Sequence, residues 1–371
     1  MQFTNSTRMS AGYTMGLEPS GRELLIVVVK GTFRIPTERG ATVSLLEEQA
    51  PLVMSDVFFG KPGLSAPKYE VDYAPRKHRC DLLLNGTAYA PEGNAVKRTT
   101  VGVRVGSWSK SFAVVGDRIW YKAAGVRATE PQPFTTMPIS YDRAFGGVDQ
   151  RHEDPAKHGA FMANPSGRGF HKHMLDEWLR DSPLPNTEEL NNPVLQPDGH
   201  YRPMAFGPIG RHWDPRIQYA GTYDQNWLDN VFPFLPADFD ERYYQSAPPD
   251  QQLAKPLGEQ AVTLLNLTPD GRREFVLPHF EAPIHVFPRQ KGPREDLLAT
   301  VDTIVIEPDL ERLTMTWRVA RPIVKNIHEI AEVLVGRKGR DWWQKRDRVS
   351  FPIRIVVEPF EPADAAAETT E

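Results

Sequence analysis

Six of the ten histidines fall between His152 and His212: His152, His158, His171, His173, His200 and His212. With Glu153 and Asp154 beside them they raise the question of a metal centre, because imidazole and carboxylate are ligands that zinc takes. The run from His152 to His158 reads HEDPAKH. Pro155 breaks the helix that would set two imidazoles on one face, so the spacing is not that of a helical zinc motif. Paired carboxylates come second. Asp238 and Asp240 flank Phe239, and Asp224 and Asp229 flank Trp227. On a strand Asp238 and Asp240 would share a face, as a glycosidase pair would need. In a turn they would accept backbone N–H groups instead. No G-x-S-x-G elbow and no P-loop occurs. Gly167-Arg168-Gly169 is half of a dinucleotide fingerprint that lacks its third glycine. The one cysteine, Cys80, stands beside leucines in CDLLL and reads as a core residue. The expectation is a protein with no catalytic residue, cofactor or metal. A β-sandwich hydrolase or carbohydrate-active enzyme using Asp238 and Asp240, or the histidines, is the alternative.

The elements around these residues read as mainly β. Leu24 to Phe33 (LLIVVVKGTF) is a β-branched run ended by Pro36, the pattern of a buried strand. Cys80 to Tyr89, Val101 to Val105, Trp108 to Val115 and Arg118 to Tyr121 follow, with Leu52 to Phe58 and Tyr69 to Tyr73 as shorter candidates. The last third repeats the texture at Ala261 to Leu267, Arg273 to Leu277, Ile284 to Phe287, Leu298 to Ile306 and Leu313 to Val319. Turn signals at about ten-residue spacing predict antiparallel, sandwich-like sheets. Pro322 to Val335 predicts a helix, with Ile323, Ile327, Ile330 and Leu334 at helical spacing and Gly336 as its cap. The chain then divides into a β-rich part at 1–122, a loop-rich middle at 123–256, a β-rich part at 257–360 and a disordered acidic tail at 361–371.

The middle holds 17 of the 34 prolines between Pro131 and Pro256, yet it is full of aromatic residues. Only Met174 to Arg180 reads as a short helix there. A disordered linker would lack aromatics, whose large apolar area must be buried to hold a loop in place. Long ordered loops of this kind tend to carry function. Arg143, Phe145, Arg168, Phe170, Trp213, Tyr223, Trp227 and Phe239 are therefore the candidate partner-binding residues. Trp342 and Trp343 join them, because they sit in the basic run RKGRDWWQKRDR, and Trp and Arg are common interface anchors.

A formal net charge of -4 offers no global field for nucleic acid or an anionic membrane. A single cysteine fits a reducing compartment. Met1 to Gly16 has no signal-peptide pattern, and the apolar run Leu24 to Val29 is too short to span a bilayer. These features predict a cytoplasmic protein.

Several motifs in order carry a resemblance: FTTMPISYDRAFGG (Phe134–Gly147), NPSGRGF (Asn164–Phe170), LPN (Leu184–Asn186), FGPIGRHW (Phe206–Trp213), GTYDQNW (Gly221–Trp227), LPADFD (Leu235–Asp240) and APPDQQ (Ala247–Gln252). With Leu24 to Phe33, Gly106 to Trp120 and Asn266 to Pro278, the chain resembles an uncharacterised-domain family encoded beside VgrG spike and PAAR-like tip genes of bacterial type VI secretion. Asp142 stands where Glu is expected in the first motif, and Ser166 where Val is expected in the second. The resemblance covers the chain to about residue 320. It implies an adaptor or chaperone that binds a cognate effector or PAAR-like protein and helps load it onto VgrG. A structural component of the spike tip is a further alternative.

Overall fold

The computed structural model describes residues 1–255, 258–290, 292–347 and 353–355; the acidic tail at 361–371 lies outside them. The fold is mainly β, as the sequence predicts. Its sheets are mixed rather than purely antiparallel: Gln2–Asn5 runs parallel to Ile330–Val335, and Cys80–Leu84 runs parallel to Thr303–Ile306.

The larger sheet follows the order Gln2–Asn5 (β1), Ile330–Val335, Ala282–Pro288, Arg294–Glu307, Arg312–Pro322, Glu23–Arg34 (β3) and Ser10–Leu17 (β2). It curls into a nearly closed barrel. The end strands β1 and β2 face each other across a seam where the rings of Phe3 and Tyr13 meet at 5.3 Å and Asn5 Nδ2 donates to the Met9 carbonyl at 2.7 Å. A six-stranded sheet, which includes Arg98–Val105, Trp108–Val115, Ala261–Leu265 and Arg272–Val276, shares its core with the barrel. Strands from the two β-rich ends of the chain thus interleave in both sheets.

β3 explains its own sequence. Leu25, Val27 and Val29 face the main core, whereas Leu24, Ile26 and Val28 pack on the opposite face with Ala320, Leu52 and Tyr73. A strand covered on both sides has no use for alternation, so it reads as a continuous apolar run.

One element departs from its predicted form. Pro322–Val335 is not a helix. A single 3-10 turn at Ile327–Glu329 leads into a strand at Ile330–Val335. Asn326 caps only that turn, through its side-chain bond from the His328 N–H at 2.9 Å. The apolar spacing suits a helix, but IAEVLV also offers β-branched residues to a sheet. Ladders on both sides, with β1 and with Ala282–Pro288, supply the backbone partners that decide the matter.

Candidate interaction surface

The middle of the chain is tied down by its own motifs. Phe145-Gly146 pairs in parallel with Arg168-Gly169. Gly146 has φ +149, and a Cβ there would collide with the Asn164 carbonyl oxygen. Only glycine allows that crossing. Asn164 is fully buried, and its Nδ2 donates to the carbonyls of Tyr141 at 2.8 Å and Phe145 at 3.0 Å. Arg143 Nη1 donates to Asn186 Oδ1 at 3.0 Å, and Arg168 Nε donates to the Asp142 carbonyl at 2.9 Å. Burial and the neighbouring Arg143 hold the Arg168 guanidinium below its ordinary pKa.

A second, smaller core sits beneath this crossing. Phe145 is fully buried there, edge-on to Phe161 at 5.0 Å and Tyr201 at 4.9 Å, with Phe170 at its margin. Trp120, Leu184 and Leu179 of a short helix, Asp176–Leu179 (α1), complete it. Trp213 is buried in the main core, edge-on to Tyr141 at 5.6 Å, and Phe239 packs against Tyr243 and Tyr244. Phe145, Trp213 and Phe239 thus hold the insert in place and present little or no area to a partner.

A different group of aromatics faces outward, on the loop from Gly221 to Asp238. The Asp238 carboxylate ties the base of this loop, accepting from the Thr222 N–H at 2.9 Å and its hydroxyl at 2.7 Å. Gly221 at φ +80 lets the chain turn in against Asp238 and Pro236. Asp224 then caps the helix Gln225–Asn230 (α2) by accepting from the Trp227 N–H at 2.8 Å. Trp227 is the hub of the loop. Tyr223 and Phe232 meet it edge-on at 4.7 and 5.6 Å, and its Nε1 donates to the Phe234 carbonyl at 2.9 Å. Around this half-buried hub, Tyr223 (54% exposed), Leu228 (53%), Phe232 (63%) and Phe234 (46%) form an apolar surface. Clustered exposed apolar groups of this size mark interaction sites.

The loop stands on a rigid base. Arg216 is buried and donates to the carbonyls of Tyr243 and Ile209, both at 2.8 Å, while also pairing with Glu70. Arg211 pairs with Asp56 and Glu70 at 3.0 Å each, and these carboxylates raise its pKa further.

Of the residues singled out from sequence, Tyr223 and Trp227 belong to this surface. Leu228, Phe232 and Phe234 were missed, although the spacing of apolar residues around Pro233 in VFPF was the available signal. Trp342 and Trp343 lie elsewhere, on the helix Arg340–Asp347 (α3). They pack on the outer face of the barrel against His285 and Phe287, and Arg294 and Arg346 lie over the indole rings.

The groups with chemical potential are engaged in holding loops. Asp240 caps a 3-10 turn through the Arg242 N–H at 2.8 Å. Bonds from Thr222 and Arg242 hold the carboxyls of Asp238 and Asp240, respectively, below the ordinary value of 3.8. His158 and His173 bond the carbonyls of His152 and Lys157, and His212 Nε2 accepts from Trp213 Nε1. Among the described residues no three His, Cys, Asp or Glu side chains converge so as to hold a metal ion. Cys80 is buried, and burial together with Asp302 and Asp81 pushes its thiol well up. No helix among the described residues is long and apolar enough to cross a membrane.

Residues 20–318 match the family described as "Uncharacterized protein conserved in bacteria (DUF2169)". No curated protein and no solved structure matches the chain.

Proposed function

As the chain belongs to this family of proteins conserved in bacteria, we propose that it is a non-catalytic docking protein that binds a protein partner through the aromatic loop. The observation that carries the reading is the exposed cluster of Tyr223, Leu228, Phe232 and Phe234 around Trp227, on a loop pinned at its base. A preformed apolar surface loses little conformational freedom on binding, so more of its burial is retained as affinity. The motif resemblance to proteins encoded beside VgrG and PAAR-like genes supports the partner we propose: a cognate type VI effector or PAAR-like protein, held in the cytoplasm and presented to the VgrG spike.

The test is co-expression of the full chain with a candidate PAAR-like protein from the same genome. The expected result is a soluble complex with the wild type and its loss with the Tyr223→Ser/Leu228→Ser double variant. Unchanged solubility and secretion of that partner when the gene is deleted would sink the adaptor reading. Appearance of this protein itself in the culture supernatant would favour a spike-tip component.

A further inference from the structure

The edge strands of natural sheets are ordinarily blunted by charge, proline, a bulge or a covering element. The sequence of β2 has neither of the first two, since Ser10–Leu17 reads SAGYTMGL. It has no bulge either: its ladder with β3 runs without a shift from Ser10↔Lys30 to Leu17↔Glu23. Among the described residues no strand pairs with its other side. Ala11, Tyr13 and Met15 stand opposite Val29, Val27 and Leu25, which face the main core, so these three residues point into the barrel. Tyr13 is nevertheless 41% exposed and Met15 39%. Inward-facing apolar residues therefore meet solvent at an edge that β1 shields in part, where Phe3 meets Tyr13.

We propose that an extended, apolar segment of the protein partner adds as a strand to β2 beside Tyr13–Leu17. Such a strand supplies the missing ladder and covers Tyr13 and Met15, with main-chain bonds giving affinity and alternate side chains giving specificity. The inference rests on the docking function proposed above and specifies how the partner is held. Two features select this occupant. First, β1 flanks the Ser10 half of the edge, where Phe3 meets Tyr13 and the Asn5 side chain holds Met9. A second copy carries its own β1 beside its β2, so two such edges obstruct each other, whereas a single extended strand meets no such barrier. Second, the edge leads to the aromatic loop. Past Leu17 the chain turns at Glu18–Arg22, where a Cβ on Gly21 would touch the Phe234 ring at 3.0 Å. A segment leaving β2 in that direction comes to the turn on which the half-exposed Phe234 ring packs.

The experiment is hydrogen–deuterium exchange on the full chain, alone and bound to the candidate PAAR-like protein of the co-expression test, with Met15→Lys as the variant. Strand addition slows every second amide from Tyr13 to Leu17 by about tenfold or more. Met15 is 39% exposed, so in Met15→Lys the apolar stem can keep the inward position while the charge reaches solvent at the edge; the variant is expected to weaken binding by about tenfold and to lower the melting temperature only slightly. A complex whose β2 amides exchange as fast as in the free protein overturns strand addition but leaves the docking function standing. Failure to form any complex overturns both. Protection of β2 in the free protein, accompanied by a dimer in sedimentation, replaces the partner strand with a second copy.

Discussion

Replacing Tyr223 by serine removes one of the four outward-facing side chains of the aromatic loop while leaving its base intact. Tyr223 is 54% exposed. An aromatic side chain carries roughly 200 Å² of surface, so about 80 Å² of ring remains for a partner to cover once the hydroxyl is set aside. At roughly 25 cal/mol per Å² this amounts to about 2 kcal/mol, or about thirtyfold in Kd. The cost to the fold is smaller. The edge-on contact with Trp227 at 4.7 Å is lost, worth about 1 kcal/mol. The Thr222–Asp238 tie and the Asp224 cap do not involve this side chain. Isothermal titration of the proposed PAAR-like partner into wild type and Tyr223→Ser measures the first quantity, and thermal unfolding the second. A Kd within twofold of wild type in a variant that melts normally would refute the assignment of this surface.

Three further outcomes concern the scaffold. Asn164→Ala leaves the buried carbonyls of Tyr141 and Phe145 without their donor, and denaturant unfolding should register a loss of about 2–4 kcal/mol. Gly146→Ala forces a Cβ into the Asn164 carbonyl at φ +149; the variant should be recovered largely unfolded, as circular dichroism would reveal. Burial of Lys110 brings its pKa down to about 8 from an ordinary 10.5, against the pull of Asp250. Between those two values the unfolded chain holds more protons than the folded one, so stability should rise with pH across that window. Lys110→Met should flatten that part of the profile in denaturant titrations at successive pH values.

Much of the strand content follows from local pattern. The β3 run, the Trp108–Val115 strand and the closing strands from Ala261 onward are visible because β-branched residues and turn signals act over a few positions. The need to bury aromatics of the middle was also legible, and Phe145 and Trp213 are buried. Pro322–Val335 shows where local pattern stops. Its spacing fits a helix, and what made Ile330–Val335 a strand was the ladder with Gln2–Asn5, more than three hundred residues away in the chain.

The candidate site divides along the same line. Composition and motif order picked out Tyr223 and Trp227, and also Phe145, Trp213 and Phe239, with nothing to tell the first group from the second. An aromatic ring among turn residues reads alike whether it points inward or outward, because exposure is set by segments distant in sequence. Phe145 is covered by Phe161 and Tyr201, while Tyr223 stays more than half exposed among the described residues. The open edge of β2 depends even more on the whole fold. Its residues specify a strand, but only the curl of the sheet around the barrel decides that, among the described residues, β2 forms a ladder with β3 and with no strand on its other side. Short-range chemistry determined the strands, the turns and the need to bury the aromatics; long-range packing decided which apolar surface was left for a partner.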